Sequence, residues 1–511
     1  MCDPVWQASY VNRRRLTHLT PLHLPNRYMS NRPRDNCELS RHKAEEAPGK
    51  PLVQNDRHLP MIRNLLTTFA LSALAFKAAA APLQFSSPFT ATSQSAKTTE
   101  NATAAPEGLT NNPDALFNRD LLLGDLGGLR NALIDDGVAI TPVLQTEVFS
   151  AAGGGHGGVD ADGLLDVAFD FDLERITRIW QDAAFHFNVL DIFGPSLTNR
   201  HVGDISGVSN LAGTNTFRLQ EIWLQQQLWR KRISLRVGML AADSEYFTSQ
   251  AASLFLDGTF GAFTLVALNF DDAPVYPVAA PAVRLDFMPV SFFDLRMAVF
   301  APNQSAANNT HGTDFDINSH DGALVAVEAS YLVNQSPNDL GRVGTYKVGT
   351  FIQQGDYASF GSQAANALNS ARSLHNGTNI VVYGVADQEL YKNGQYTIEA
   401  FARGGFGTPN YSVVHDYFDA GFNFIGLVPV RPLDIAGLAI GRSGISRQYS
   451  DSQVAQGFPG LSSETVIEAT YKIHIANWAS IQPDFQYFIN PSAVRGSSNA
   501  FVSGIRSSIS F

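Results

Sequence analysis

Apolar and polar side chains alternate with period two from near Val138 almost to the last residue of the chain. In Leu164 to Glu174, Leu165, Val167, Phe169, Phe171 and Leu173 alternate with Asp166, Ala168, Asp170 and Asp172, so that one face is apolar and the other acidic. The pattern returns in Ala184 to Val189, Arg218 to Leu228, Ile233 to Met239, Val283 to Phe287 and Asp294 to Phe300. It continues in Leu324 to Tyr331, Tyr346 to Ile352, Gln395 to Arg403 and Glu464 to Ile475. A helix repeats every 3.6 residues and cannot keep such a face, so the chain is expected to form antiparallel strands, each with one apolar and one polar side.

Two architectures use strands of this kind. A soluble sandwich buries the apolar faces between two sheets, whereas an outer-membrane barrel turns them to lipid and keeps the polar faces around a lumen. Three features favour the barrel. The in-facing positions Glu464, Glu468, Lys472 and His474 carry charges or long polar groups, as suits a wet lumen. Short turns alternate with long Gly/Asn/Ser loops, such as Gly153 to Gly158, Asn303 to Gly322 and Ser359 to Gly377, as expected of periplasmic turns and outer loops. The chain ends with Phe501, Ile505, Ile509 and Phe511 on one face of a last strand. At roughly 24 residues per strand and connection, the 392 residues from Asp120 to Phe511 accommodate about 16 strands. The expected fold is all-β: a transmembrane antiparallel β-barrel of about 16 strands, preceded by a short helical segment in Asn118 to Val138, where Leu126, Leu129, Ala132 and Leu133 recur at helical spacing.

Composition sets the remaining limits. Only 16 % of residues are charged, thin for an ordinary soluble chain of this length. After residue 81 the most apolar stretch, Ala420 to Gly441, is broken by Pro429, Arg431, Pro432 and Asp434, so no membrane helix is expected. Residues 61–81 read as a secretory signal peptide, with Arg63, an apolar run from Leu65 to Phe76 and a cleavage pattern near Ala80. Residues 1–60 read as an extension from a misplaced start or a disordered basic tail, residues 82–117 as a flexible periplasmic segment, and residues 118–511 as the barrel. Twelve of the 36 bases and six of the 47 acids precede Pro82, so an exported chain would carry −17 rather than the −11 of the whole sequence. Such a charge disfavours nucleic acid, which calls for a basic stripe. The cysteines, Cys2 and Cys37, both precede the signal segment, which removes disulfides and thiolate metal sites from the exported part.

Particular stretches carry more than alternation. They are Leu122-Leu-Gly-Asp-Leu-Gly-Gly-Leu-Arg130 with Leu133 and Asp136-Gly137, Leu219-Gln-Glu-Ile-Trp-Leu-Gln225, and Leu235-Arg-Val-Gly-Met-Leu-Ala-Ala-Asp-Ser-Glu-Tyr-Phe247. To these are added Ala280-Pro-Ala-Val-Arg-Leu285, Ile481-Gln-Pro-Asp-Phe-Gln-Tyr487 and the C-terminal strand. Together they resemble the carbohydrate-selective porins of the OprB type over nearly all of the chain from about residue 120, and the stretch 235–247 is the most specific. Leu126 departs from that resemblance, standing where an aromatic residue is expected. The resemblance implies a 16-stranded outer-membrane channel through which small sugars such as glucose diffuse passively.

A sugar is neutral, polyhydroxylated and weakly apolar on its ring faces, so a selective pore needs charged hydrogen-bonding groups and aromatic surfaces. Glu221 and Trp223 share a polar strand face near Arg236, and Arg284 and Arg296 occupy in-facing positions of later strands. The expected roles are arginine forks donating to sugar hydroxyls, Glu221 accepting and Trp223 stacking; the other reading is ordinary lumen charges that steady the wall. Asp243 and Glu245 follow the Arg236 strand, and the resemblance makes them candidates for an infolded loop that narrows the pore. A turn capped by Asp and Ser side chains is the alternative.

No cofactor, metal or catalytic residue is expected. Asp166, Asp170 and Asp172 need no ion in an acidic lumen, His186 and His474 have no second histidine at ligand spacing, and no carboxylate pair stands out as in a glycosidase. Trp180, Trp229 and Trp478 fall near strand ends and read as residues of the lipid interface. The expected partners are small carbohydrates, outer-membrane lipid and the barrel-assembly machinery through Phe511, with monomer and homotrimer both open. A general nonselective porin and a soluble all-β sugar-binding protein are the alternative functions.

Overall fold

The computed structural model describes residue 117 and residues 119–511, except 271–272, 302–308, 316, 318–321, 337, 358 and 363–374. The expected extension, signal peptide and periplasmic segment up to residue 116, with both cysteines, lie outside the described residues, as do parts of the loops 303–322 and 359–377.

Sixteen antiparallel strands close into one barrel, each paired with its neighbours in sequence and the first with the last. They are β1 (Val138–Gly153), β2 (Gly158–Asp172), β3 (Ala183–Phe193), β4 (Thr216–Leu228), β5 (Ile233–Leu240), β6 (Ala280–Val290), β7 (Phe293–Phe300) and β8 (Ala323–Val333). The second half comprises β9 (Gly344–Tyr357), β10 (His375–Asn393), β11 (Tyr396–Gly407), β12 (Val414–Ile425), β13 (Ile435–Ile445), β14 (Ser463–Ala476), β15 (Ala479–Ile489) and β16 (Ala500–Ser510). Closure satisfies every strand edge, which a lipid environment demands of any spanning backbone. Links of two to ten residues join strands at the end that carries both termini, and links of four to 39 residues at the opposite end. Gly153 to Gly158, expected as a long loop, proves to be a link of four residues. Leu173 and Glu174, read as the end of a strand, begin a one-turn helix (Leu173–Thr177) that the Asp172 side chain caps.

The seam between β1 and β16 runs in register from Val143 opposite Ser510 to Gly153 opposite Ala500. Phe501 and Ile505 point outward, as the alternation predicts. On the inner side Arg506 donates from Nε and Nη2 to Glu147 Oε2 at 2.8 and 2.6 Å, and both side chains are buried. Beside this pair Phe149 lies against Gly504, where a Cβ would stand 2.1 Å from the ring; the bare backbone lets the ring cross the seam.

The N-terminal helical segment is shorter than its spacing predicts. It forms a 3-10 turn (Leu126–Gly128) and a single α-helix (Leu129–Asp135), because Gly124, Leu126, Gly127 and Gly128 adopt positive φ and interrupt the helix upstream. Arg130 ties it to the barrel's end, donating from Nη2 to the Phe511 carbonyl at 3.0 Å. Trp180, Trp229 and Trp478 all sit in links at this same end, and Trp180 and Trp229 are exposed there.

Replacing Arg506 with Gln leaves Glu147 buried without its ion partner, a loss of about 3–5 kcal/mol. The urea midpoint of the folded barrel, followed by heat-modifiable gel mobility, is therefore expected to fall; an unchanged midpoint would assign the seam's strength to backbone hydrogen bonds alone.

Candidate functional site

Two links fold into the barrel rather than over it: residues 194–215 between β3 and β4, and residues 241–279 between β5 and β6. Their apolar side chains meet an apolar inner wall. Phe247, Phe260 and Phe263 of the longer link pack with Phe351, Tyr383, Phe401 and Tyr417 of the wall, all buried. The lumen is therefore not lined by polar groups throughout, as the alternation alone implied. On β6 to β10 the inner positions toward the loop end turn largely apolar, and the run Val381-Val-Tyr-Gly-Val385 is part of the sequence trace of that change.

Polar wall residues hold the backbone of both links. Glu221 of β4 accepts from Ala241 N at 2.8 Å, Glu328 of β8 from Phe247 N at 2.7 Å, and Asp387 of β10 from Gln250 N at 3.1 Å. Glu468 of β14 takes Leu256 N and Asp257 N at 2.6 and 3.0 Å. Glu464 does the same for Ile205 N and Ser206 N of the shorter link. Amides serve the carbonyls: Asn423 donates to Ala251 O, Gln482 to Leu254 O and Gln486 to Val208 O. The two links also bind each other, Asn210 N donating to Leu256 O at 2.8 Å and Gly258 N to Gly207 O at 2.7 Å. Glu464 and Glu468, which suit a wet lumen by sequence, are instead buried anchors.

The residues singled out from sequence converge around Glu245. A bulge opposite Asn188, where Gln220 and Glu221 face one residue of β3, lets Glu221 and Trp223 as well as Arg218 point inward. Arg236 of β5 and Arg284 of β6 reach Glu245 Oε1 at 2.9 and 2.7 Å, and Arg284 Nε reaches Oε2 at 2.8 Å. Arg296 of β7 donates to the Glu245 carbonyl at 2.7 Å and pairs with Asp286 at 3.0 Å. Three arginines on consecutive strands thus clamp one turn of the infolded link, within which Ser244 Oγ donates to Ala241 O at 2.8 Å.

Two expected roles are corrected by this geometry. Trp223 is flanked by His186 of β3, stacked at 4.7 Å, and by the Arg236 guanidinium at 3.7 Å, so neither ring face is open to a sugar; the ring steadies Arg236. Asp243 accepts from Tyr276 N at 2.8 Å and ties the two ends of the link together. Burial, with Glu221 nearby, pushes its carboxyl up to about 7. Burial acts the same way on Glu245, but Arg236, Arg284 and Arg296 outweigh it and hold that carboxyl down at about 2.

Sequence reasoning missed Glu328, Asp387 and the Arg403–Asp419 pair. Arg403 and Asp419 face each other on β11 and β12, fully buried, and Arg403 Nη2 also donates to Thr259 O at 3.0 Å. Their only sequence signal is a charge at an in-facing position. Asp166, Asp170 and Asp172 bond separately to Asn188, His186 and the capped helix, and among the described residues no three metal-ligating side chains form a group.

A closed sixteen-stranded barrel, apolar outside and narrowed inside by the link between β5 and β6, is an outer-membrane porin: a channel, whose work is passage. The description "Carbohydrate-selective porin, OprB family" belongs to the family model that matches residues 156–511, and the chain belongs to that family. It is 24% identical over 425 residues to Porin B of Pseudomonas aeruginosa, covering 76% of this chain and 91% of that protein. Its fold is that of Pseudomonas putida OprB in the high-pH structure, with a TM-score of 0.72 and 22% identity over 77% of this chain and 99% of the other. It is thus a carbohydrate-selective porin of the outer membrane.

The low carboxyl of Glu245 has a testable consequence. A depressed acid stabilises the fold above its ordinary range near 4.5 and loses that contribution as pH falls toward about 2. The difference in unfolding midpoint between the wild type and Glu245→Gln is expected to stay constant from pH 7 to 5 and to shrink below pH 4. A difference that vanished already at pH 5 would mean that the arginines do not hold the carboxylate.

Proposed function

We propose that neutral hexoses such as glucose pass beside the Glu245 turn, reading Arg236, Arg296, Glu221 and Glu245 as hydrogen-bonding partners for their hydroxyls. Arg236 and Glu245 each keep 14% of their side-chain surface and Arg296 keeps 20%, enough to donate and accept one bond, while Arg284 at 3% and Trp223 hold them in place. The observation that carries this reading is the pairing itself. Three guanidinium groups stand against the carboxylates of Glu245, Asp286 and Asp294, so the rim offers many donors and acceptors with little net charge, which suits a neutral polyol better than an ion. Asp243 supports the rim from behind. The outward row ending in Phe511 is proposed as the segment that barrel-assembly machinery reads, and monomer and homotrimer are to be told apart by native gel mobility.

Single-channel current in a planar bilayer, titrated with glucose and with a neutral non-sugar of similar size, tests the reading. Saturable block by glucose alone is expected, and Arg236→Ala is expected to weaken it about tenfold, the equivalent of roughly 1.4 kcal/mol. Equal block in Arg236→Ala and wild type would remove Arg236 from the path, and channels indifferent to sugar would make the pore a general one.

A further inference from the structure

Four arginines among the described residues are buried: Arg218, Arg284, Arg403 and Arg506. Three have a carboxylate, namely Glu245, Asp419 and Glu147. Arg218 has none. Its side chain is 1% exposed, and neither Nε nor Nη1 finds a hydrogen-bond partner. A guanidinium does not give up its proton in a protein, and a buried charge without a counter-ion costs several kcal/mol. Among the described residues the other three buried arginines each have a carboxylate, so the missing partner at Arg218 points to an anion from outside them.

The surroundings fit such a ligand. Arg218 stands opposite Leu190 on the inner face of β4, toward the loop end and beyond the bulge that carries Glu221. Leu164, Leu190, Ile192 and Leu211 form an apolar patch there with Tyr276, whose hydroxyl already donates to Leu211 O at 2.7 Å. Among the described residues Tyr276 is the titratable side chain whose charge bears on the guanidinium. A low-dielectric wall strengthens any ion pair made against it, and a planar fork suits a planar carboxylate or a phosphate.

We propose that Arg218 is a binding site for the oxyanion of an anionic solute, a sugar acid or a phosphate, reached before the Glu245 rim by a solute entering from the loop end. The proposal rests on the lumen being the sugar path. Because the guanidinium is covered, a solute must part the neighbouring side chains to reach it, so anion block appears as discrete long closures rather than fast flicker.

The experiment compares block of single-channel current by glucose and by glucuronate in the wild type, Arg218→Gln and Arg218→Lys, each confirmed as folded by heat-modifiable mobility. In the wild type glucuronate is expected to half-block at a concentration about tenfold below that of glucose, the increment of roughly one charge-assisted contact. R218Q is expected to remove that advantage and leave glucose block unchanged, and R218K to keep most of it. Inorganic phosphate at matched ionic strength separates the sources: relief of glucuronate block assigns the site to any oxyanion, and no relief assigns it to sugar acids, each in support. Equal glucuronate block in R218Q and wild type overturns the proposal. Absence of glucose block in the wild type overturns the underlying path instead, so the two failures are distinguishable.

Discussion

A loop that enters a barrel must find partners for its backbone N–H groups away from bulk water, and this barrel supplies them with carboxylates. Glu221, Glu328, Asp387, Glu464 and Glu468, spread over four strands, each accept from one or two backbone nitrogens of the infolded links. An unmet buried donor costs about 1–3 kcal/mol, so each acid, by accepting from the link's backbone, both satisfies the link and fixes its course. The longer link follows those acids across the lumen, from β4 through β8 and β10 to β14. The clamp on Glu245 is the inverse case, in which wall arginines hold an acid of the link.

Buried ion pairs of this sort add little net stability compared with a well-packed apolar substitute, because desolvation offsets most of their attraction. Their contribution is position. The phenylalanines of the link would pack against Phe351 or Phe401 in more than one register, since apolar contact is nondirectional. Arg403, gripping Asp419 and the Thr259 carbonyl together, admits one. The rim proposed to meet sugar hydroxyls would need that precision, because a misplacement of about 1 Å at a binding group is costly.

The division between what was legible and what was not follows from what alternation measures. Period two reports which side of a strand faces in, and on that basis the barrel, the inward places of Glu221, Trp223, Arg236, Arg284 and Arg296, and the outward row ending in Phe511 could all be read. It does not report what covers the inner face. Glu464 and Glu468 therefore looked like lumen lining, although the links lie on them, and Trp223 looked like an open stacking surface, although His186 and Arg236 take both its faces. Glu328 and Asp387 had no pattern of their own, since the link atoms they hold lie far away in the chain.

The same accounting bears on charge selectivity. From Pro82 onward the chain carries −17, and a field of that sign over an open lumen would draw cations. Many of the inward acids are committed, however: Glu464 and Glu468 to backbone donors, Glu245, Asp419 and Glu147 to guanidinium groups. At the proposed Glu245 rim a solute would meet a set of paired charges whose fields largely cancel beyond a few ångströms. Total charge then governs how the barrel behaves toward its surroundings, and the passing solute responds to local hydrogen-bonding capacity. That separation lets one acidic chain carry a path suited to neutral sugars.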